Sequence, residues 1–102
     1  LSLITISEIE DLTIVNKKEN ARIIEIAPYN IEEFVIAEVL RDSSRFKVGN
    51  EITIYKSGSH GGRVPVAEGY IIDEDGDYIT IELYLETKKV RLEKGDTLQV
   101  NF

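Results

Sequence analysis

Apolar and polar residues alternate with a period of two through Glu51-Ile52-Thr53-Ile54-Tyr55 and again through Asp96-Thr97-Leu98-Gln99-Val100. That spacing belongs to a strand with one face buried and one face wet. Val, Ile, Tyr and Thr also dominate four further short runs, at 23–26, 34–40, 69–72 and 78–84. β-Branched and aromatic side chains favour strands over helices of this length. Only a short helix is offered elsewhere, around Asp42 to Phe46 or from Ile31 to Glu33.

The runs repeat. Phe34-Val35-Ile36-Ala37-Glu38-Val39-Leu40 aligns with Tyr78-Ile79-Thr80-Ile81-Glu82-Leu83-Tyr84, and Val48-Gly49-Asn50 with Lys94-Gly95-Asp96. Ahead of them, Ile23-Ile24-Glu25-Ile26 takes the place of Gly69-Tyr70-Ile71-Ile72. Each half therefore reads strand, strand, turn, strand. Gly supplies the turn with a backbone conformation closed to other residues, and Asn or Asp bonds its own backbone just ahead.

A three-strand unit used twice closes most economically as a barrel, because closure removes exposed edges. The sequence thus predicts one all-β domain over 1–102, a small barrel of six to eight strands with internal duplication. Residues 21–56 form the first copy, 64–102 the second, and 1–20 an added N-terminal strand region. The expected core is Ile24, Ile26, Val35, Ala37, Val39, Ile52, Ile54, Ile79, Ile81, Leu83, Leu98 and Val100.

Two copies of strand, strand, Val-Gly-Asn or Lys-Gly-Asp, strand resemble the small barrels at the N-termini of HerA-type and rotary ATPases. They also resemble the small barrel modules of bacterial envelope assembly proteins. The resemblance covers residues 21 to 102 and implies a module that mediates assembly within a larger machine without chemistry of its own. No nucleotide-binding loop accompanies the pattern, and the resemblance transfers no functional residue.

A chain of 102 residues suits one modest core, burying about two-thirds of its unfolded surface. With 12 basic against 19 acidic residues the formal charge is −7, which repels phosphate backbones and anionic lipid. Nucleic acid is not an expected partner. Nor is membrane insertion expected, because no apolar run approaches the roughly 20 residues of a spanning helix. Cysteine is absent, so disulfides and thiolate metal sites are excluded while the compartment stays open. The lack of Met at position 1 fits a processed form or a piece of a longer chain.

Two stretches carry candidate chemistry. Lys56-Ser57-Gly58-Ser59-His60-Gly61-Gly62-Arg63 is glycine-rich and basic and holds the sole histidine. With Tyr55 it is a candidate ligand loop, through Tyr55, Lys56, Ser59, His60 and Arg63. It lacks the closing Gly-Lys-Ser/Thr of a phosphate loop, and its plain reading is a mobile connector. Asp73-Glu74-Asp75-Gly76-Asp77 gathers carboxylate oxygens of the kind Ca²⁺ prefers, making Asp73, Asp75 and Asp77 candidate metal ligands. Its spacing departs from an EF-hand, and Asp75-Gly76 is a strong hairpin turn.

A lone His60 without base, orienter and nucleophile does not make a catalytic site. The expected function is a non-enzymatic binding or assembly module needing no cofactor, acting on a protein partner or on a second copy of itself. The competing expectation is a small-ligand or carbohydrate binder using the 56–63 loop. Leu1, Leu3, Ile4 and Ile6 are too apolar for a free tail and form a candidate interface strand.

Overall fold

A computed structural model describes residues 20–58 and 62–101. Six strands run β1 (Ala21–Ala27), β2 (Phe34–Val39), β3 (Glu51–Ser57), β4 (Arg63–Asp75), β5 (Tyr78–Tyr84) and β6 (Thr97–Val100). All neighbours are antiparallel, and the order β1-β2-β5-β4-β3-β6 closes back on β1 as a barrel. The all-β barrel expected from the alternation is the fold observed. Two single 3₁₀ turns, Ser43–Arg45 and Leu85–Thr87, interrupt the long connections. The first falls where a short helix was expected. No helix forms over 31–33.

Exchanging β1–β3 for β4–β6 leaves every neighbour relation unchanged. The registers obey the same exchange: Phe34 faces Glu82 while Tyr78 faces Glu38, and Ile36 faces Thr80 at the centre. Between β3 and β6, Ile52 faces Val100 while Ile54 faces Leu98. Both outer hairpins shift register at equivalent places, between Ile23 and Glu25 and between Ile71 and Asp73. The backbone thus equates Ile23 with Ile71, two residues away from the match by sequence, which sets Ile23 beside Gly69.

That bulge corrects the expected core. Each extra residue in one strand reverses the facing of the residues beyond it, so Ile23 points inward and Ile24 is only half-buried. Ile26 and Val39 pack against the core from its margin. The remaining expected residues, from Val35 and Ala37 through Ile52 and Ile54 to Leu98 and Val100, are buried. Burying each large aliphatic side chain contributes roughly 1.5–3 kcal/mol.

Alternation along strands does not reveal the side chains contributed by the connections. Phe46, from the β2–β3 connection, and Leu92, from the β5–β6 connection, are buried with the core. The connections are pinned alike. The Gly49 N–H donates to the Ile71 carbonyl and the Ile71 N–H to that of Asn50, while Gly95 and Asp96 make the same two bonds with Ile23.

The two hairpin tips lie at opposite ends of the barrel. Phe34 opposite Glu82 adjoins the β1–β2 loop, whereas Glu38 opposite Tyr78 adjoins the β4–β5 turn. Two residues before these starting positions stand Glu32, at φ 58°, and Gly76, at φ 62°. The same left-handed step thus closes both ends, once with glycine and once with a carboxylate-bearing residue.

Candidate functional site

The Gly-rich loop is rooted on an extension of the β3–β4 hairpin in which Tyr55 faces Pro65 and Ser57 faces Arg63. The Arg63 guanidinium lies 4.2 Å from the Tyr55 ring centroid, a favourable seat for a cation on a π face. Lys56 is drawn elsewhere. Its Nζ donates to Asp96 at 2.8 Å and to Glu93 at 3.0 Å, bracing β3 against the start of β6. Burial works to lower the Lys56 pKa, but the two carboxylates outweigh it and hold it above the ordinary lysine value. Of the candidate ligand residues, the structure joins Tyr55 with Arg63 and commits Lys56 to the frame. Ser59 and His60 lie outside the described residues.

Asp73 and Asp75 end β4, and Asp77 sits in the tight turn that brings Asp75 opposite Tyr78. All three are exposed. Among the described residues no group of three or more acidic, His or Cys side chains is placed to hold a metal ion. Glu74 is engaged instead, accepting the Val48 N–H at 3.0 Å and facing Lys47 at 3.4 Å. The Val48 N–H is the main reason its pKa is lowered. The candidate interface residues Leu1, Leu3, Ile4 and Ile6 lie outside the described residues.

A different constellation forms at the β1–β2 end. After the cis Ala27–Pro28 peptide, the Pro28 carbonyl accepts the N–H groups of Ile31, at 3.1 Å, and Glu32, at 2.7 Å. This tight turn drives Glu32 inward until it is 2% exposed. Its carboxylate accepts from Lys88 Nζ and from the Leu92 N–H at 3.3 Å, with Arg91 Nη2 at 3.5 Å. Lys88 also reaches the Ile31 carbonyl at 3.4 Å. A buried carboxylate is tolerable only with such company. Burial pushes the Glu32 pKa up, but the Lys88 bond, the Leu92 N–H and the charges of Lys88 and Arg91 carry it below the ordinary value. The loop 28–33 is thereby stapled to the connection 85–96.

Above the staple, Arg91 extends over the Tyr29 ring at 5.2 Å from its centroid, and Tyr29 is 78% exposed. Glu25, Ile26, Tyr29 and the run 91–94 line an open groove of about 500 Å³. Ile31, Leu85 and Val90, on the same two segments, are exposed as well. Sequence reasoning misses this site because Tyr29 and Arg91 are joined only by tertiary folding. A visible trace is the cluster Lys88, Lys89, Arg91 and Lys94, which concentrates four of the 12 basic residues.

No family model, no curated protein and no solved structure matches the chain. The geometry therefore carries the functional reading by itself. Among the described residues, no helix is long and apolar enough to cross a membrane.

Proposed function

We propose that this barrel is a non-enzymatic binding and assembly module whose docking face is the end formed by loop 28–33 and the connection 85–94. The observation that carries this reading is the Tyr29–Arg91 pair standing exposed on the buried Glu32 staple. Tyrosine and arginine are enriched at the energetic centres of protein interfaces. The staple also holds both loops in place in advance, which reduces the ordering cost of docking. The duplication fits the same role: the exchange-related strands are read as two copies of one three-strand unit, as in the small assembly barrels the sequence resembles. The partner is a protein or another copy of the chain.

A photo-reactive residue placed at Ile31 tests this in extract of the source cell. A discrete protein adduct from position 31, absent from the same probe at the exposed Ser44 on the β2–β3 connection and abolished by Tyr29→Ala, is expected. No adduct, or equal labelling at both positions, would refute the docking face.

A second reading, a small-ligand or carbohydrate binder, draws support from the Arg63–Tyr55 stack at the root of the Gly-rich loop. Thermal shifts with sugars, nucleotides and Ca²⁺ separate the two. Stabilisation that grows with ligand concentration as mass action requires would favour the second.

A further inference from the structure

The exchange of halves relates more than strands. The registers carry Glu25 onto Asp73 and Ile26 onto Glu74. The pinned turns carry the run 91–94 onto 45–48, with Leu92 and Phe46 both buried. The groove lined by Glu25, Ile26, Tyr29 and 91–94 therefore has a counterpart at the other end of the barrel, between Asp73, Glu74 and 45–48. There a side chain spans from strand to connection: Glu74 Oε2 accepts the Val48 N–H at 3.0 Å, and Lys47 Nζ donates to Oε1 at 3.4 Å. In the groove, Lys94 takes the place of Val48 and Ile26 the place of Glu74, and an isoleucine offers no acceptor. Among the described residues no protein group accepts the Lys94 N–H. The same backbone donor is thus answered by a carboxylate at one end and by nothing in the protein at the other.

We propose that the groove binds a carboxylate of its partner, which accepts the Lys94 N–H as Glu74 accepts that of Val48. This rests on the docking-face reading above and names the group that face recognises. Net charge does not select the ligand, because Glu25 and Glu93 offset Arg91 and Lys94. Two of these four are engaged within the chain, Glu93 with Lys56 at 3.0 Å and Arg91 with Glu32 at 3.5 Å. Selection comes from one directed donor, since a hydrogen bond to an ionised acceptor is roughly twice as strong as a neutral one. Glu25 does not prevent it: the matching Asp73 stands next to Glu74 in the chain, and Glu74 still holds Val48. Ile26 and Tyr29 offer apolar surface to the carbon skeleton that carries the carboxylate.

Amide spectra of the isotope-labelled full chain test the proposal with three small probes. N-acetylglutamate α-amide carries a side-chain carboxylate, N-acetylalanine a chain-end carboxylate, and N-acetylglutamine α-amide neither. The Lys94 amide proton should move downfield and saturate with a carboxylate probe, at concentrations at least about tenfold below those the glutamine amide needs. The Val48 amide, bonded to Glu74, should stay in place. Whichever carboxylate acts at the lower concentration shows whether the groove takes a side chain or a chain end. In Glu74→Ala the Val48 amide should begin to respond as Lys94 does. In Ile26→Glu the Lys94 amide should move without any probe and lose its response, and the photo-adduct from position 31 should disappear. Glu74 is exposed, so Glu74→Ala decides the matter should Ile26→Glu fail to fold.

A Lys94 amide that ignores both carboxylates, or follows the glutamine amide equally, would overturn the proposal. So would a Val48 amide that stays silent in Glu74→Ala. The docking-face reading fails separately. If Lys94 ignores the carboxylates while the probe at Ile31 still captures one protein in a Tyr29-dependent way, only the carboxylate is wrong. If Lys94 responds but the probe at Ile31 captures nothing, the groove takes a small carboxylate and the protein docking face is wrong.

Discussion

Gly49 and Gly95 hold the same backbone state, φ 97° and 98°, and each gives its N–H to the opposite half, to Ile71 and to Ile23. A Cβ at either position would meet nothing within 4 Å, so the demand for glycine comes from backbone strain alone. Gly49→Ala and Gly95→Ala should therefore cost similar amounts, about 1–3 kcal/mol each. Chemical denaturation of the two variants checks this. A large difference between them would show that the two turns are not energetically alike.

Glu32 provides a pH test. Glu32→Gln should destabilise by roughly 1.5–3 kcal/mol near neutrality, since it replaces charge-assisted bonds from Lys88 and Leu92. The folded pKa of Glu32 lies below its unfolded value. Its contribution is therefore present above the unfolded pKa and lost as pH falls through the folded one. Urea melts of both proteins should converge in acid, and a gap that persists there would contradict the assignment. Glu32→Gly should lose about 1–2 kcal/mol less than Glu32→Ala, because φ 58° strains any side chain.

Lys56 supplies the opposite sign. Its folded pKa lies above the ordinary value, so its stabilisation is complete below the unfolded pKa and is lost as pH rises through the folded one. Lys56→Met should cost about 1.5–3 kcal/mol at neutral pH by leaving the Asp96 carboxylate, 11% exposed, without its cation. Adding Asp96→Asn should recover part of that loss. A double-mutant cycle by denaturant titration measures the coupling, and strict additivity would show that the brace carries no stability.

Gly69 is required for space. A Cβ there would stand 2.5 Å from the Glu82 carbonyl oxygen and 2.9 Å from Ile81 Cγ2, so the β4–β5 ladder would have to part. Gly69→Ala should lose about 1–3 kcal/mol or more, whereas Gly62→Ala, with open space around it, should stay within about 0.5 kcal/mol. Matched urea midpoints for the two variants would overturn this account.

Strand identity was legible in β3, β5 and β6 because Ile52 and Ile54, Ile79 and Ile81, and Leu98 and Val100 alternate with polar residues, and in β2, where Val35 and Ile36 are adjacent, through its match to β5. Alternation fails where a bulge adds one residue, and Ile23-Ile24 gives no local cue to which isoleucine turns inward. Phe46 and Leu92 were hidden for another reason: each lies in an irregular connection, where burial comes from the path of the chain and not from a period. Tyr55 and Arg63 were grouped as members of one loop, but their stacking was not legible, because the glycines hid that β3 runs on to Ser57 and β4 begins at Arg63. Glu32, Lys88 and Arg91 were not grouped at all, because a carboxylate in a turn and cations on a distant connection share no spacing rule.

The exchange of halves also carries a consequence for direction. A frame whose strand order and central registers are unchanged by that exchange has no front or back in its pairing pattern. Among the described residues the two tips set the ends apart, a six-residue loop carrying Glu32 at one and a two-residue turn carrying Gly76 at the other. Changes confined to those tips can turn a directionless scaffold into a polar building block while the sheet beneath stays as it is.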